Sequence, residues 1–201
     1  MSTFYIILFL SLGVLYIIKE ELFDIIANYL IKKSFATPYF HLEGYMERYW
    51  LVPYKETGSA TKIGCGPVTF LTRPIAWVLQ YFGIAVRVHK ILRRDDDRTF
   101  HNHTWNFVSV ILKNGYIEKT PVYDSNDFYT GINEQSYPKG SVIFRKDSDF
   151  HMLKLIDKKP TWTLFITGPD KRKWGFLTHA RNIVPWDEYI GAYKEEGKDE
   201  K

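Results

Sequence analysis

The chain has 201 residues and a formal net charge of +4, and 45% of its residues are hydrophobic and 25% charged. This length suits one domain with its own core, and this composition excludes wholesale disorder. The charge is too small and too mixed to predict a nucleic-acid partner. The single cysteine, Cys65, excludes a disulfide framework and a cysteine-based zinc site. The composition therefore predicts a globular domain rich in aromatic residues, which make up 17% of the chain.

The N-terminal segment, residues 1–36, has the pattern of a helix. Fifteen uncharged residues, Phe4–Ile18, come before an amphipathic stretch that carries Leu22 and Ile25 among its apolar positions. Thr37-Pro38 then disfavours helical continuation. The sequence therefore predicts a hydrophobic and amphipathic helical segment ahead of the globular domain.

Two interpretations of this segment stay open. Residues 4–31 can anchor the chain in a membrane, although the uncharged run would span only about 22 Å of a hydrocarbon core of roughly 30 Å. The basic residues Lys19, Lys32 and Lys33 follow the run, so the domain would then lie on the cytoplasmic side. Alternatively, the helix packs against the domain or within a homo-oligomer, and the protein is cytoplasmic.

Residues 37–193 are predicted to form an all-β domain, and residues 194–201 a charged tail. One internal helix is expected at Arg73–Phe82, with Pro74 in its first turn. Asn114-Gly115 predicts a hairpin, and Pro138-Lys139-Gly140 predicts another turn. Short strands separated by turns are typical of an antiparallel sandwich or barrel. The clearest predicted strands are Ile84–Leu92, Thr104–Leu112, Ser141–Phe144, Phe150–Ile156 and Thr161–Thr167.

Two histidines introduce a candidate metal site. His101 and His103 are separated by one residue at the entrance to an apolar run. Because alternate side chains of a strand share a face, both imidazoles are expected to point the same way. Two such imidazoles can converge on one metal ion, although this pair alone is a weak signal.

The spacing around this pair resembles the cupin superfamily, a jelly-roll β-barrel. The first cupin motif has two histidines in an HxH pattern and a closing glycine, which His101–Gly115 matches. The second opens on a glycine and ends on a histidine, and Pro138–His151 matches these features and its length. The resemblance covers roughly residues 84–167 and implies a cupin-like jelly-roll barrel.

The chain also departs from the cupin pattern. The glutamate ligand of the first motif should fall at Phe107 or Val108, and neither side chain can bind a metal. The resemblance then implies a site of three histidines, His101, His103 and His151. Three neutral ligands leave the charge of a divalent ion uncompensated and positions open for water, substrate or dioxygen. Within the cupins this looks like the three-histidine dioxygenases, so Fe(II) is expected, with Zn, Ni or Mn as alternatives.

The walls of the expected barrel provide candidate substrate contacts. Trp105 and Phe107 share strand parity with the two histidines, and Arg87 and His89 alternate on the preceding strand. An inward Arg87 would suit a substrate carboxylate or phosphate, because its fork binds such groups bidentately.

Two further candidates follow the Asn114-Gly115 turn on one strand face. They are Tyr116 and Glu118, and the carboxylate can orient a ligating histidine, replace the missing glutamate or form a salt bridge. The candidate substrate-binding residues are thus Arg87, His89, Trp105, Phe107, Tyr116 and Glu118.

Three functions stay open at this point. The first is a mononuclear metal enzyme of the oxygenase type, acting on a small molecule in an aromatic-lined barrel. The second is a non-catalytic binding or structural module tethered by its N-terminal helix. The third is a metal-free sugar isomerase or epimerase with His103 or His89 as base. The fold does not choose among them, because cupins host many chemistries.

Overall fold

The computed structural model describes residues 3–38, 44–52, 73–93, 99–126, 128–178, 183–185 and 188, with side chains from residue 18 onwards except that of Arg73. Residues 54–66, with Cys65, and the predicted charged tail over residues 194–201 lie outside the described residues. The helices are α1 (Thr3–Ser34) and α2 (Arg73–Tyr81). The strands are β1 (Met46–Val52), β2 (Ala85–Ile91), β3 (Phe107–Lys113), β4 (Gly115–Tyr123), β5 (Tyr129–Pro138), β6 (Val142–Arg145), β7 (Met152–Leu155), β8 (Thr161–Thr167), β9 (Gly175–Leu177) and β10 (Ile183–Pro185).

The strands form two main antiparallel sheets. The large sheet has the order β1-β2-β8-β3-β6, and the small sheet has the order β5-β4-β7. A buried apolar cluster joins them, because the large sheet contributes Ile91, Ile111 and Ile143, and the small sheet contributes Tyr116 and Leu155. Burying these side chains between the sheets is the main stabilising term of the fold. The prediction of an all-β domain preceded by an N-terminal helical segment is thereby confirmed.

The prediction of a closed barrel is not confirmed. Within the described strands, no ladder of backbone hydrogen bonds joins an edge of the large sheet to an edge of the small one. Closure would need matched tilt and register all the way around, whereas here side-chain packing holds the two sheets together. The sheets therefore form an open sandwich.

The turn at Asn114 is present, but it is not a hairpin. Strand β3 pairs with β6 and β8, whereas β4 pairs with β5 and β7, so the chain changes sheet at this turn. Asn114 has a φ of 61°, in the left-handed region that asparagine tolerates. Its side-chain Nδ2 donates a hydrogen bond of 2.6 Å to the carbonyl of Pro160. The turn at Pro138–Gly140 likewise leads from the small sheet to the large one.

Helix α1 contacts the domain through a different face from its apolar stripe. It packs against β1, β2 and β3, with Ala27 and Ser34 buried in the contact. Lys139 Nζ lies 2.9 Å from Asp24 Oδ1 and 3.3 Å from Glu20 Oε2, which draws the acidic side of the helix towards the domain. The small side chain of Ala27 allows the close approach.

The apolar stripe of α1 lies on the outside. Leu22, Ile25 and Tyr29 are 55%, 66% and 56% exposed. The sequence pattern identifies this stripe correctly, but it does not predict which face contacts the sheet. Among the described residues, no helix is both long and apolar enough to cross a membrane.

Candidate metal centre and its cavity

The backbone brings two of the three predicted ligands side by side. His101 and His151 form an antiparallel bridge, in which each N–H donates to the carbonyl of the other at 3.1 Å and 3.0 Å. Their imidazole centroids are 4.9 Å apart. His103 follows two residues later, and its ring lies 5.0 Å from that of His151. The intervening Asn102 points the other way, where its Oδ1 accepts a hydrogen bond of 2.8 Å from the N–H of Gly175.

The three imidazoles converge at their nitrogen atoms. One ligand nitrogen from each of His101, His103 and His151 lies within 4.8 Å of the other two. The Nε2 atoms of His103 and His151 are 2.8 Å apart. Adjacent nitrogens bound to one divalent ion at about 2.1 Å are themselves about 3 Å apart, so this separation fits shared coordination.

The protonation state of His103 also suits a metal. Burial lowers the pKa of His103 well below 6.5, and the neighbouring His151 and His101 lower it further. His103 is therefore neutral at physiological pH, with a lone pair available for a metal.

Glu118 holds the third histidine in place. This carboxylate is almost fully buried, and its Oε1 accepts a hydrogen bond of 2.6 Å from His151 Nδ1. Because the hydrogen then resides on Nδ1, the Nε2 lone pair of His151 faces the other two histidines. Arg145 Nε donates to the same carboxylate oxygen at 3.2 Å and its Nη2 pairs with Oε2. The three-histidine centre thus fits a divalent metal, with Glu118 outside it as an orienting group.

A cavity of about 530 Å³ opens beside the cluster. Both sheets and the segments around His101 and Trp174 contribute to its walls, which are mostly aromatic. Phe165 stacks on His89 at 4.6 Å and packs against Phe107 at 4.6 Å. Such a volume is typical of sites for small molecules.

The structure brings the predicted site residues together around this cavity. The three histidines line it, as do five of the six candidate substrate contacts: Arg87, His89, Trp105, Phe107 and Tyr116. Glu118 is the exception, because it lies behind His151. Residues 102–106 do not form a strand, so the alternation that predicts an inward Trp105 does not apply to this segment. Trp105 nevertheless lines the cavity, as predicted.

Several cavity residues are missing from the sequence-based prediction. Arg48 lies on β1, which is not predicted, and is opposite His89 in the ladder with β2. Thr163 and Phe165 lie opposite His89 and Arg87 across the β2–β8 ladder. The alternation of buried and partly exposed positions in Thr161–Thr167 places Thr163 and Phe165 on the same face of β8, so this pattern could have predicted both. Trp174 and Phe176 line the cavity as well.

Comparison with known proteins gives structural neighbours only. No protein-family model matches the sequence, and no curated protein matches it. Vicilin from hazelnut (Corylus avellana) has a TM-score of 0.47 and 12% identity, over 79% of this chain and 38% of that chain. The chain thus spans little more than a third of that protein.

Two other neighbours are smaller proteins. The Fe(II) form of HppE, solved with (S)-1-HPP as an alternative substrate, has a TM-score of 0.39 and 13% identity, over 61% of this chain and 49% of that chain. A cupin superfamily protein from Desulfitobacterium hafniense has a TM-score of 0.32 and 11% identity, over 43% of this chain and 68% of that chain. At such identities and TM-scores the likeness says nothing about function. The Desulfitobacterium hafniense neighbour is described as a cupin superfamily protein, the family that the motifs around the three histidines resemble.

Proposed function

We propose that this protein is a mononuclear metal enzyme of the oxygenase type, which holds Fe(II) through His101, His103 and His151. Its substrate is a small molecule bound in the aromatic cavity. The observation that carries the proposal is the convergence of three imidazole nitrogens within 4.8 Å at the wall of that cavity.

The donor set supports a catalytic rather than a purely structural metal. Three neutral histidines do not fill the coordination of a divalent ion, and structural zinc sites are closed by four protein ligands. Imidazole ligands suit iron as well as zinc and nickel, so the choice of Fe(II) is part of the proposal. When bound, a ferrous ion supplies the oxygen and one-electron chemistry that side chains do not provide.

The side chains around the centre have separate tasks. Glu118 orients His151 and keeps its Nε2 lone pair towards the centre. Phe107, Phe165 and Trp105 form apolar walls that exclude water and pack against the apolar part of a substrate. The Tyr116 hydroxyl provides a polar contact in this wall, and burial raises its pKa above 10.0, so it is protonated and can donate a hydrogen bond.

Metal analysis of protein purified without a histidine tag tests the proposal. We expect stoichiometric bound iron in the wild-type protein, and loss of that iron in His101→Ala and His151→Ala. His89→Ala is the matched control, because His89 lines the cavity outside the three-histidine cluster and should leave the metal content unchanged. Metal-free wild-type protein, with all three variants equally stable, would contradict the proposal.

A metal-free isomerase or epimerase is the second candidate, and His89 favours it. This imidazole is 93% buried, and burial together with the charges of Arg87 and Arg48 lowers its pKa well below 6.5. Its Nε2 has no hydrogen-bond partner among the described residues. A neutral, cavity-facing imidazole is a suitable base. Dioxygen consumption and sensitivity to a chelator distinguish the two candidates. An oxygenase consumes dioxygen and loses its activity when a chelator removes the metal. The isomerase consumes no dioxygen, keeps its activity with a chelator and loses it when His89 is replaced.

A further inference from the structure

One cavity wall contains an arginine held between two tryptophans. Arg87 is only 5% exposed and lies in the central part of β2. Its Cζ is 4.6 Å from the ring of Trp50 and 4.8 Å from the ring of Trp105. Cation–π contacts stabilise the guanidinium from these rings, but they do not use the N–H donors at its edge. The arginine is thus a fixed cation whose side chain lines the cavity.

The described residues of the cavity walls carry positive charge. Arg48 lines it together with Arg87, and no aspartate or glutamate occurs among the described residues of its walls. Glu118 is already engaged by His151 and Arg145 outside the cavity. His89 is opposite Arg48 in the β1–β2 ladder and two residues after Arg87 on β2, and its imidazole carries no negative charge. A bound divalent metal would add to this positive potential, so the cavity favours an anion over a neutral or cationic molecule.

Arg87 is close enough to the three-histidine cluster for one small molecule to reach both. Trp105 connects them, because its ring lies 4.8 Å from the guanidinium and 5.7 Å from the ring of His103. The sum of these two distances is an upper bound on the distance between Arg87 Cζ and the centre of the His103 ring. The aromatic surface between the two points would contact the body of the molecule.

We propose that the substrate is a small amphipathic oxyanion, whose carboxylate or similar head is bound by Arg87 while its apolar body packs on the aromatic wall beside the metal. This inference rests on the proposed function for its catalytic meaning, but the oxyanion site itself consists of residues outside the metal cluster. An arginine fork matches the two oxygens of such a head in a bidentate pair. Arg48 strengthens the attraction by its charge.

Calorimetric titration with a matched pair of probes tests this inference. The probes are 3-phenylpropanoate and its neutral isostere 3-phenylpropanamide, titrated into the full-length zinc-loaded protein. We expect the carboxylate to bind at least about ten-fold more tightly than the amide, since one charge-assisted pair accounts for a preference of that size. Equal affinity of the two probes for the wild-type protein would overturn the inference without any variant.

Three variants assign the preference to its residue. Arg87→Met, which keeps the length but not the charge, should lose the preference, and Arg87→Lys should keep part of it. Lys90→Met is the matched control, because Lys90 lies on the same strand but does not line the cavity, and its partner is Glu47. A preference that survives in Arg87→Met would overturn the assignment.

Metal-free protein separates this inference from the proposed function. If the preference persists in His101→Ala protein that holds no metal, the oxyanion site is supported independently of the metal centre. If the preference requires zinc and survives in Arg87→Met, the head binds the metal; the Arg87 site is then wrong and the metal centre stands. If the wild-type protein binds no metal but shows the Arg87-dependent preference, the proposed enzyme fails and the oxyanion site stands.

Discussion

Glu118 shows how one residue can replace a missing ligand without binding the metal. The cupin motif predicts a glutamate near Phe107, where this chain has an apolar side chain. The described carboxylate comes instead from β4 and contacts His151 Nδ1 at 2.6 Å. Its negative charge lies between that imidazole and Arg145, so it can compensate positive charge on either side. The sequence leaves several roles open for Glu118. In the structure it both orients His151 and forms a salt bridge with Arg145.

Glu118→Gln tests this double role. The amide keeps the size of the side chain but leaves Arg145 without its counter-charge, so we expect the free energy of unfolding to fall by about 1–3 kcal/mol. Metal affinity should fall by about ten- to a hundred-fold, because His151 loses its charged hydrogen-bond partner. Urea unfolding and metal titration measure the two effects. Glu134→Gln, on an exposed carboxylate that pairs with Lys119, is the control and should change neither; unchanged affinity in Glu118→Gln would contradict the orienting role.

The same residue predicts a pH dependence. Burial raises the pKa of Glu118, but the hydrogen bonds and charges of His151 and Arg145 outweigh it, and the pKa lies below 4.5. Folding therefore favours the ionised form, and the resulting stability is fully present above pH 4.5 and is lost as the pH falls through the folded pKa. The difference in unfolding free energy between wild type and Glu118→Gln should stay constant above about pH 5 and shrink as the pH falls from there through the folded pKa of Glu118. A difference that stays constant below about pH 5 as well would show that Glu118 has no lowered pKa.

At the scale of elements, the crossing between β3 and β4 depends on two adjacent residues with different tasks. Asn114 supplies the positive φ, while Gly115 is needed because two backbones approach closely. A Cβ on Gly115 would lie 2.6 Å from the carbonyl oxygen of Tyr137 on β5. Thr161 Oγ1 also donates a hydrogen bond of 2.6 Å to the Gly115 carbonyl, which ties the crossing to β8.

Gly115→Ala is accordingly expected to be destabilising. The methyl group meets backbone atoms that cannot move independently of the β4–β5 ladder, so we expect a loss of about 1–3 kcal/mol in the free energy of unfolding. Gly168→Ala is the matched control, since the nearest atom to its Cβ is 3.7 Å away, and it should change stability by less than about 0.5 kcal/mol. Chemical denaturation measures both. Equal stability of the two variants would show that the strands at Gly115 separate without cost.

At the scale of the whole molecule, the N-terminal helix and the sandwich are distinguished by where their apolar residues lie. The sandwich buries its apolar residues between the sheets, whereas α1 carries Leu22, Ile25 and Tyr29 on its outer side. An exposed apolar surface of this kind is typical of contact with a partner or a membrane. Membrane location through residues 4–31, with the domain on the cytoplasmic side, stays a prediction from the sequence, as do a homo-oligomer and the domain boundaries.

Carbonate extraction tests the location. We expect full-length protein to remain with the membrane fraction, because residues 4–18 carry no charge that alkaline carbonate could release. A variant that begins at Pro38 should appear in the supernatant. Equal extraction of the two proteins would contradict the anchor and favour the cytoplasmic alternative.

Much of the architecture is predictable from local pattern. The alternation in Ile84–Leu92 and Thr161–Thr167 predicts β2 and β8 almost to the residue, and Pro74 marks the start of α2. The segment Met46–Val52 escapes prediction, because Tyr49 and Trp50 are adjacent and both buried, which hides the alternation of β1. Its absence explains why Arg48 is missing from the predicted cavity.

The candidate ligands can be named from the sequence, because the two motifs contain His101, His103 and His151. The fold is what brings their nitrogens together, since His101 and His151 are fifty residues apart in the chain and are joined by a backbone bridge between distant segments. It also decides that Glu118 lies behind His151 and that Arg87 lies between Trp50 and Trp105. These contacts depend on strand register and on how the two sheets pack, and register is a non-local property that local residue patterns do not specify.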